Sequence, residues 1–238
     1  MEIYDALVIG GGQSGLAAGY HLQRAGLRFL ILEASDEATG SWKRYYDSLK
    51  LFSPARYSSL PGMRFPGHPE RYPTRDEVVD YLHAYAEHFR LPIRTHAFVK
   101  RIERQGVNFI VHMNGQGTLT ARSIIAATGA FSRPHLPQLE GQERYQGKIL
   151  HSSSYQNPTA FKHQRVLVIG AGNSAVQIAV DLAQTARVTL TSRDPVRFRQ
   201  QRIWGRDVHF WIRITGIDTW KRAFPSWNPG EIKKAEVL

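Results

Sequence analysis

Two glycine-rich loops carry the most legible chemistry in this sequence. Gly10-Gly11-Gly12-Gln13-Ser14-Gly15 has the spacing G-x-G-x-x-G, and Gly170-Ala171-Gly172-Asn173-Ser174-Ala175 repeats it with alanine in the third place. In such a loop the first glycine makes a tight turn and the second lets a pyrophosphate touch the backbone. The third permits close helix–strand packing. The pyrophosphate then rests on a helix N-terminus, whose free N–H groups and dipole favour an anion. Gly10, Gly12, Gln13, Ser14 and Gly15 are therefore candidate dinucleotide contacts, and so are Gly170, Gly172, Asn173, Ser174 and Ala175.

The residues that stand 23 positions after each first glycine differ in charge. Glu33 offers a carboxylate to a free ribose 2′-hydroxyl and would repel a 2′-phosphate. Arg193, next to Ser192, offers that phosphate a charge-assisted contact. This division of labour fits FAD on the first unit and NADPH on the second.

These loops need strands before them and helices after them, and the pattern supplies both. Residues 5–9 are a short apolar run of the kind that forms a buried parallel strand, 14–25 suit a helix, and 28–32 form a second buried strand. The same unit returns as strand 166–169, helix 173–184 and strand 188–191. Between them lie an aperiodic stretch (39–75), a helix from about Asp76 to Phe89, alternating strands near 97–104 and 107–113, and an apolar strand at 124–127. An aperiodic stretch of that length inside a domain is usually functional. The expected fold is α/β with two Rossmann-like dinucleotide-binding units, the second incomplete. The expected division is a FAD-binding domain over 1–160, with a small β insertion at about 97–122, and a partial NADPH-binding domain over 161–238 that ends in a basic aromatic tail.

Composition removes other classes. The chain of 238 residues has no cysteine, so neither a redox-active Cys pair nor a thiolate metal site is available. That leaves a two-dinucleotide disulfide reductase without its reactive groups. No apolar run reaches the roughly 18 residues of a membrane span, and the N-terminus lacks the basic start and apolar stretch of a signal peptide. The expectation is a cytoplasmic protein with no integral membrane contact. His83, His88 and His96 show no metal-ligand spacing. The net charge of +11 is concentrated from Arg187 to Leu238, where eleven Lys/Arg face five Asp/Glu. Without a recognition module, that excess reads as a solvated surface rather than a nucleic-acid site.

Further motifs resemble those of the class B flavin monooxygenases, in particular a bacterial flavoprotein branch similar to the plant YUCCA enzymes. Gly40-Ser41-Trp42 resembles the segment that lines the flavin, and Tyr46 to Pro54 resembles the loop that follows it, with Phe52 where that loop often carries Asn. Ala127-Thr128-Gly129 resembles the Ala-Thr-Gly at a strand end near FAD. Tyr145-x-Gly147-x-x-x-His151 followed by Tyr155 resembles the signature F-x-G-x-x-x-H-x-x-x-[YW], with Tyr in place of Phe. On this resemblance Gly40, Ser41, Trp42, Leu49, Phe52, Thr128 and Gly129 join the flavin contacts, together with Val99. His151 and Tyr155 either face the chemistry or fix the interdomain linker.

The resemblance implies an NADPH-dependent monooxygenase. NADPH reduces FAD, O2 adds to the reduced flavin, and the flavin hydroperoxide oxygenates a small organic substrate, soft or carbonyl. The cofactor does the hard chemistry and the protein binds, orients and excludes water, so no catalytic acid or base is assigned. Family members are longer than this chain, which implies a C-terminal truncation. The alternative is a non-catalytic or degenerate flavoprotein, a sensor or a remnant. Substrate identity and homo-oligomerisation stay open.

Overall fold

In the computed structural model the chain divides into two compact units, residues 1–156 and 157–238. The structure describes residues 3–129, 134–195 and 200–216. Trp220, Phe224 and Trp227 of the aromatic tail lie outside the described residues.

The first unit is built on a six-stranded sheet. Its strands are β1 (Ile3–Ile9), β2 (Phe29–Leu32), β3 (Ile93–Arg94), β4 (Val99–Gln105), β5 (Asn108–Met113) and β6 (Thr118–Ala126), arranged in the order β3-β2-β1-β6-β5-β4. The four strands from β3 to β6 across β1 are parallel, whereas β5 and β4 continue from β6 as antiparallel neighbours. The strands expected as a separate insertion thus extend the main sheet. β6 does both jobs: it pairs with β1 on one side and with β5 on the other.

Alternation divides the core into two layers, because successive strand residues point to opposite faces. Ala6 and Val8 of β1 and Phe29 and Ile31 of β2 pack on one side with Leu16 of α1 (Gln13–Arg24) and with Val78, Tyr81, Leu82 and Tyr85 of α2 (Arg75–His88). Leu7, Ile9, Leu30 and Leu32 face the other way, onto Ala97, Val111, Met113 and Ala121. Gly19 sits where α1 crosses β2, since a Cβ there would lie 2.8 Å from Ile31 Cδ1.

The aperiodic stretch is ordered by backbone pairing. Leu51 N–H donates to Pro73 O, Arg75 N–H to Leu49 O, Ala55 N–H to Arg71 O and Arg56 N–H to Pro69 O, so residues 49–56 run beside 69–75. Two buried tyrosines of α2 pin the next segment: Tyr81 Oη donates to Met63 O (2.7 Å) and Tyr85 Oη to Pro61 O (2.6 Å). Burial pushes both phenol pKa values up, so the hydroxyls keep the protons that these bonds require.

The second unit holds β7 (Arg165–Ile169), α3 (Asn173–Leu182) and β8 (Arg187–Thr191), with β7 and β8 paired in parallel. α3 covers one face through Ile178, Ala179 and Leu182, while Leu167 and Ile169 on the other are both 59% exposed. A two-residue turn then joins β9 (Arg202–Ile203) to β10 (Arg206–Asp207), and α4 (Val208–Thr215) follows, capped by the buried carboxylate of Asp207. No described helix is long and apolar enough to cross a membrane.

Candidate dinucleotide-binding loops

The first loop joins β1 to α1 at the C-terminal ends of β1, β2 and β6, where open α/β sheets bind ligands. Gly10 has φ +111°, a conformation that L side chains rarely adopt, and a Cβ there would collide with Ala127 O. A Cβ on Gly15 would collide with Gly10 O, so α1 can approach β1 only if residue 15 is glycine. Gly12 is different. Its φ of −77° suits any residue, and a Cβ would lie 3.5 Å from Gly40 Cα, an ordinary contact. The fold explains Gly10 and Gly15 fully but Gly12 only weakly. A ligand lying on the Gly12 backbone would supply the missing reason.

The start of α1 supports that reading. Gly12 caps the helix with no side-chain bond and the first turn holds no acidic residue, so no side chain of that turn satisfies its orphan N–H groups. α2 shows the opposite arrangement: Thr74 and Glu77 form a full capping box, and Asp76 adds a second carboxylate to the first turn.

Glu33 is 5% exposed at the end of β2. Its Oε2 accepts from Gly11 N–H (2.6 Å), and its Oε1 accepts from both Ser35 N–H (2.9 Å) and Ser35 Oγ (2.7 Å). A carboxylate has about four acceptor positions, so one on Oε2 stays open beside the loop, as a ribose hydroxyl requires. Sequence reasoning missed Ser35, whose only signal is a hydroxyl two residues beyond the acidic one.

Several predicted residues come together here. Trp42 Nε1 donates to Gln13 Oε1 at 2.7 Å, which ties the Gly40-Ser41-Trp42 segment to the first turn of α1. Gly40 itself presses on the loop, since a Cβ on it would lie 2.8 Å from Gly12 Cα. Ser41 Oγ meets Tyr45 Oη at 3.1 Å. Thr128 and Gly129 follow β6 directly, and Thr128 Cα would lie 3.4 Å from a Cβ on Gly10. Ser14 stands in the first turn of α1.

Others stand apart. Leu49 is half-buried in the stretch that runs beside 69–75, and Phe52 is 58% exposed on it. Val99 opens β4 and packs with the layer on the opposite face of the sheet, whereas Ala97 reaches the site by donating its N–H to Glu33 O. His151 Nδ1 accepts from Ser153 N–H (3.1 Å) and so caps the turn 152–154. Tyr155 is 4% exposed and packs against Tyr46 with ring centroids 6.0 Å apart, while Asp47 N–H donates to Gln156 O. In the first unit His151 and Tyr155 thus hold the segment that leads to residue 156.

The second loop repeats the first with less support. Gly170 has φ +123° and donates its N–H to Thr191 O. At Gly172, with φ −72°, a Cβ would meet nothing within 4 Å, and the residue caps α3 with no side-chain bond and no acid in the first turn. Nothing in the described protein requires glycine at position 172. Asn173, Ser174 and Ala175 form the first turn of α3. Arg193 is exposed after β8, whereas Ser192 Oγ donates to Asp194 O at 2.6 Å. The serine must therefore rotate before it can donate to a phosphate. Among the described residues no cluster of three His, Cys, Asp or Glu could hold a metal ion.

Two glycine loops on successive βαβ units define a two-dinucleotide oxidoreductase architecture. The chain belongs to the pyridine nucleotide-disulphide oxidoreductase family, which its residues 7–218 match. It is 39% identical over 218 residues to an uncharacterized CzcO-like oxidoreductase of Geobacillus kaustophilus, covering 91% of this chain and 62% of that protein. It is 34% identical over 211 residues to the probable indole-3-pyruvate monooxygenase YUCCA1 of Arabidopsis thaliana, covering 85% of this chain and 50% of the plant protein. A solved flavin-containing monooxygenase from Stenotrophomonas maltophilia aligns with a TM-score of 0.83 at 37% identity, over 90% of this chain and 64% of that one. An oxidized steroid monooxygenase bound to NADP aligns with a TM-score of 0.66 at 26% identity, over 79% of this chain and 38% of that one. The chain thus spans 50–64% of the first three of these proteins and a smaller share of the last.

Proposed function

We propose that this chain is the dinucleotide-binding part of an FAD- and NADPH-dependent monooxygenase. The observation that carries the proposal is the pair of glycine loops, one bonded to the buried Glu33 carboxylate and the other beside a strand that is followed, two residues on, by the exposed Arg193. Gly12, Gln13 and the α1 N-terminus would hold the FAD pyrophosphate, and Glu33 Oε2 a ribose hydroxyl. Trp42 would fix Gln13 in place through its indole N–H. Gly172 and the α3 N-terminus would hold the NADPH pyrophosphate, and Arg193 its 2′-phosphate. FAD held on the first loop would supply the two-electron chemistry by which NADPH and O2 put one oxygen atom into a small organic substrate and release the other as water.

The FAD complexes and monooxygenase names of the relatives support the reading, as does the absence of cysteine from this sequence. The test supplies FAD, NADPH and isotopically labelled O2 with a panel of thioethers and carbonyl compounds. One labelled oxygen in a product is expected. Release of all the consumed O2 as peroxide, with every compound, contradicts the proposal.

A further inference from the structure

The start of the β7–β8 sheet lies at the far end of the strands from the Gly170 loop and Arg193, five residues or roughly 16 Å away. An open cavity of about 820 Å³ is lined there by Lys162, His163, Arg165, Gln184, Thr185 and Arg187, among others, and by no acidic side chain.

Three observations single this edge out. Arg165 and Arg187 are register partners across the parallel ladder, both exposed on the same face. Like charges placed directly opposite destabilise a sheet unless something lies between them, and among the described residues no carboxylate pairs with either. Thr185 Oγ1 is buried and has no hydrogen-bond partner, although most buried hydroxyls do. His163 holds φ +61°, a left-handed conformation that few non-glycine residues adopt, histidine more readily than most, and is held there by its N–H bond to Thr185 O (2.8 Å). Such backbone outliers cluster at ligand sites.

We infer that this edge is a second anion site, distinct from the dinucleotide loops, for a ligand with two adjacent phosphates. One phosphate bridges the Arg165 and Arg187 guanidiniums, whose forks match phosphate oxygens. The other is met by Lys162 and His163, and the Thr185 hydroxyl, buried and unpartnered in the free protein, donates into the pair once its χ1 rotates toward the ligand. The inference does not depend on the FAD and NADPH assignment.

The test is calorimetric titration of the full chain with inorganic pyrophosphate at fixed ionic strength. The wild type is compared with Arg165→Gln/Arg187→Gln and with Lys100→Gln/Arg104→Gln, a control that removes the same charge from exposed positions on β4. Saturable binding is expected in the wild type, at least tenfold weaker in the first variant and within twofold of wild type in the control. The unliganded first variant should melt no lower than wild type, because a repulsion has been removed, and pyrophosphate should raise the melting temperature of the wild type and the control but much less that of the first variant. Three results overturn the inference. They are no saturable binding, an unchanged isotherm in the first variant (pyrophosphate on the glycine loops instead), or equal weakening in the control (diffuse charge).

Discussion

Gly12 and Gly15 stand three residues apart in one loop and answer to different demands. Gly15 is fixed by the protein itself, because a Cβ there collides with Gly10 O, so Gly15→Ala should lower stability whether or not ligand is present. Gly12→Ala fits the fold at 3.5 Å from Gly40 Cα, and its cost should fall on FAD. Purified Gly12→Ala is expected to melt close to the wild-type apoprotein yet carry less flavin per chain, with the bulkier Gly12→Val colourless. Stoichiometric flavin in Gly12→Val would show that the pyrophosphate lies elsewhere. Arg193 makes the complementary case in the second unit. Losing a charge-assisted phosphate contact costs about 1.5–3 kcal/mol, or roughly 10- to 100-fold in affinity. Arg193→Ala should weaken NADPH by that factor and leave NADH nearly unchanged. Equal losses for both coenzymes, measured by titration, would remove Arg193 from the 2′-phosphate site.

α2 is the element that positions the aperiodic stretch, and its N-terminus depends on protonation. The Glu77 carboxyl is held below its ordinary value of 4.5, first by the Thr74 backbone N–H and then by Arg71 and the Thr74 hydroxyl, against an opposing burial effect. A carboxyl with a depressed folded-state pKa adds stability that is fully present above its unfolded pKa and fades as pH falls through the folded one. The gap in urea midpoint between wild type and Glu77→Gln should therefore be widest near neutrality and shrink below about pH 4.5. A gap independent of pH would mean that the carboxylate charge contributes nothing. Thr74→Ala should cost about 1 kcal/mol at neutral pH. The sequence made α1, α2 and α3 legible because each has an apolar face at helical spacing. It also made the glycine loops legible, because their flanking strands are continuous apolar runs. It did not reveal β3, which has two residues, or that the end of the expected β insertion and the apolar strand at 124–127 are one strand, β6, which pairs with both β1 and β5. The pairing of 49–56 with 69–75 was hidden for the same reason, since it uses backbone atoms and leaves no periodicity. Ser35, Ala97 and the Trp42–Gln13 bond are likewise contacts between segments that local pattern cannot join.

At the scale of the whole molecule the two units differ in how much sheet supports each loop. β1 lies inside a six-stranded sheet with apolar layers on both faces, while β7 and β8 pair only with each other among the described residues and leave Leu167 and Ile169 largely exposed. Parallel pairs of so few strands are marginal on their own. Amide hydrogen exchange should therefore be faster through 165–169 and 187–191 than through 3–9 and 29–32, and NADPH should bind more weakly than FAD. Equally slow exchange in both sets would mean that the second unit is as well supported as the first. The proposed chemistry requires two dinucleotides bound to one chain and exchanging a hydride. The absorbance spectrum of the purified protein, recorded without oxygen before and after NADPH is added and again after air is admitted, tests that directly. Bound flavin absorbance that bleaches with NADPH and returns with air is the predicted result. Protein that stays colourless when FAD is supplied, or flavin that NADPH does not bleach, would contradict it.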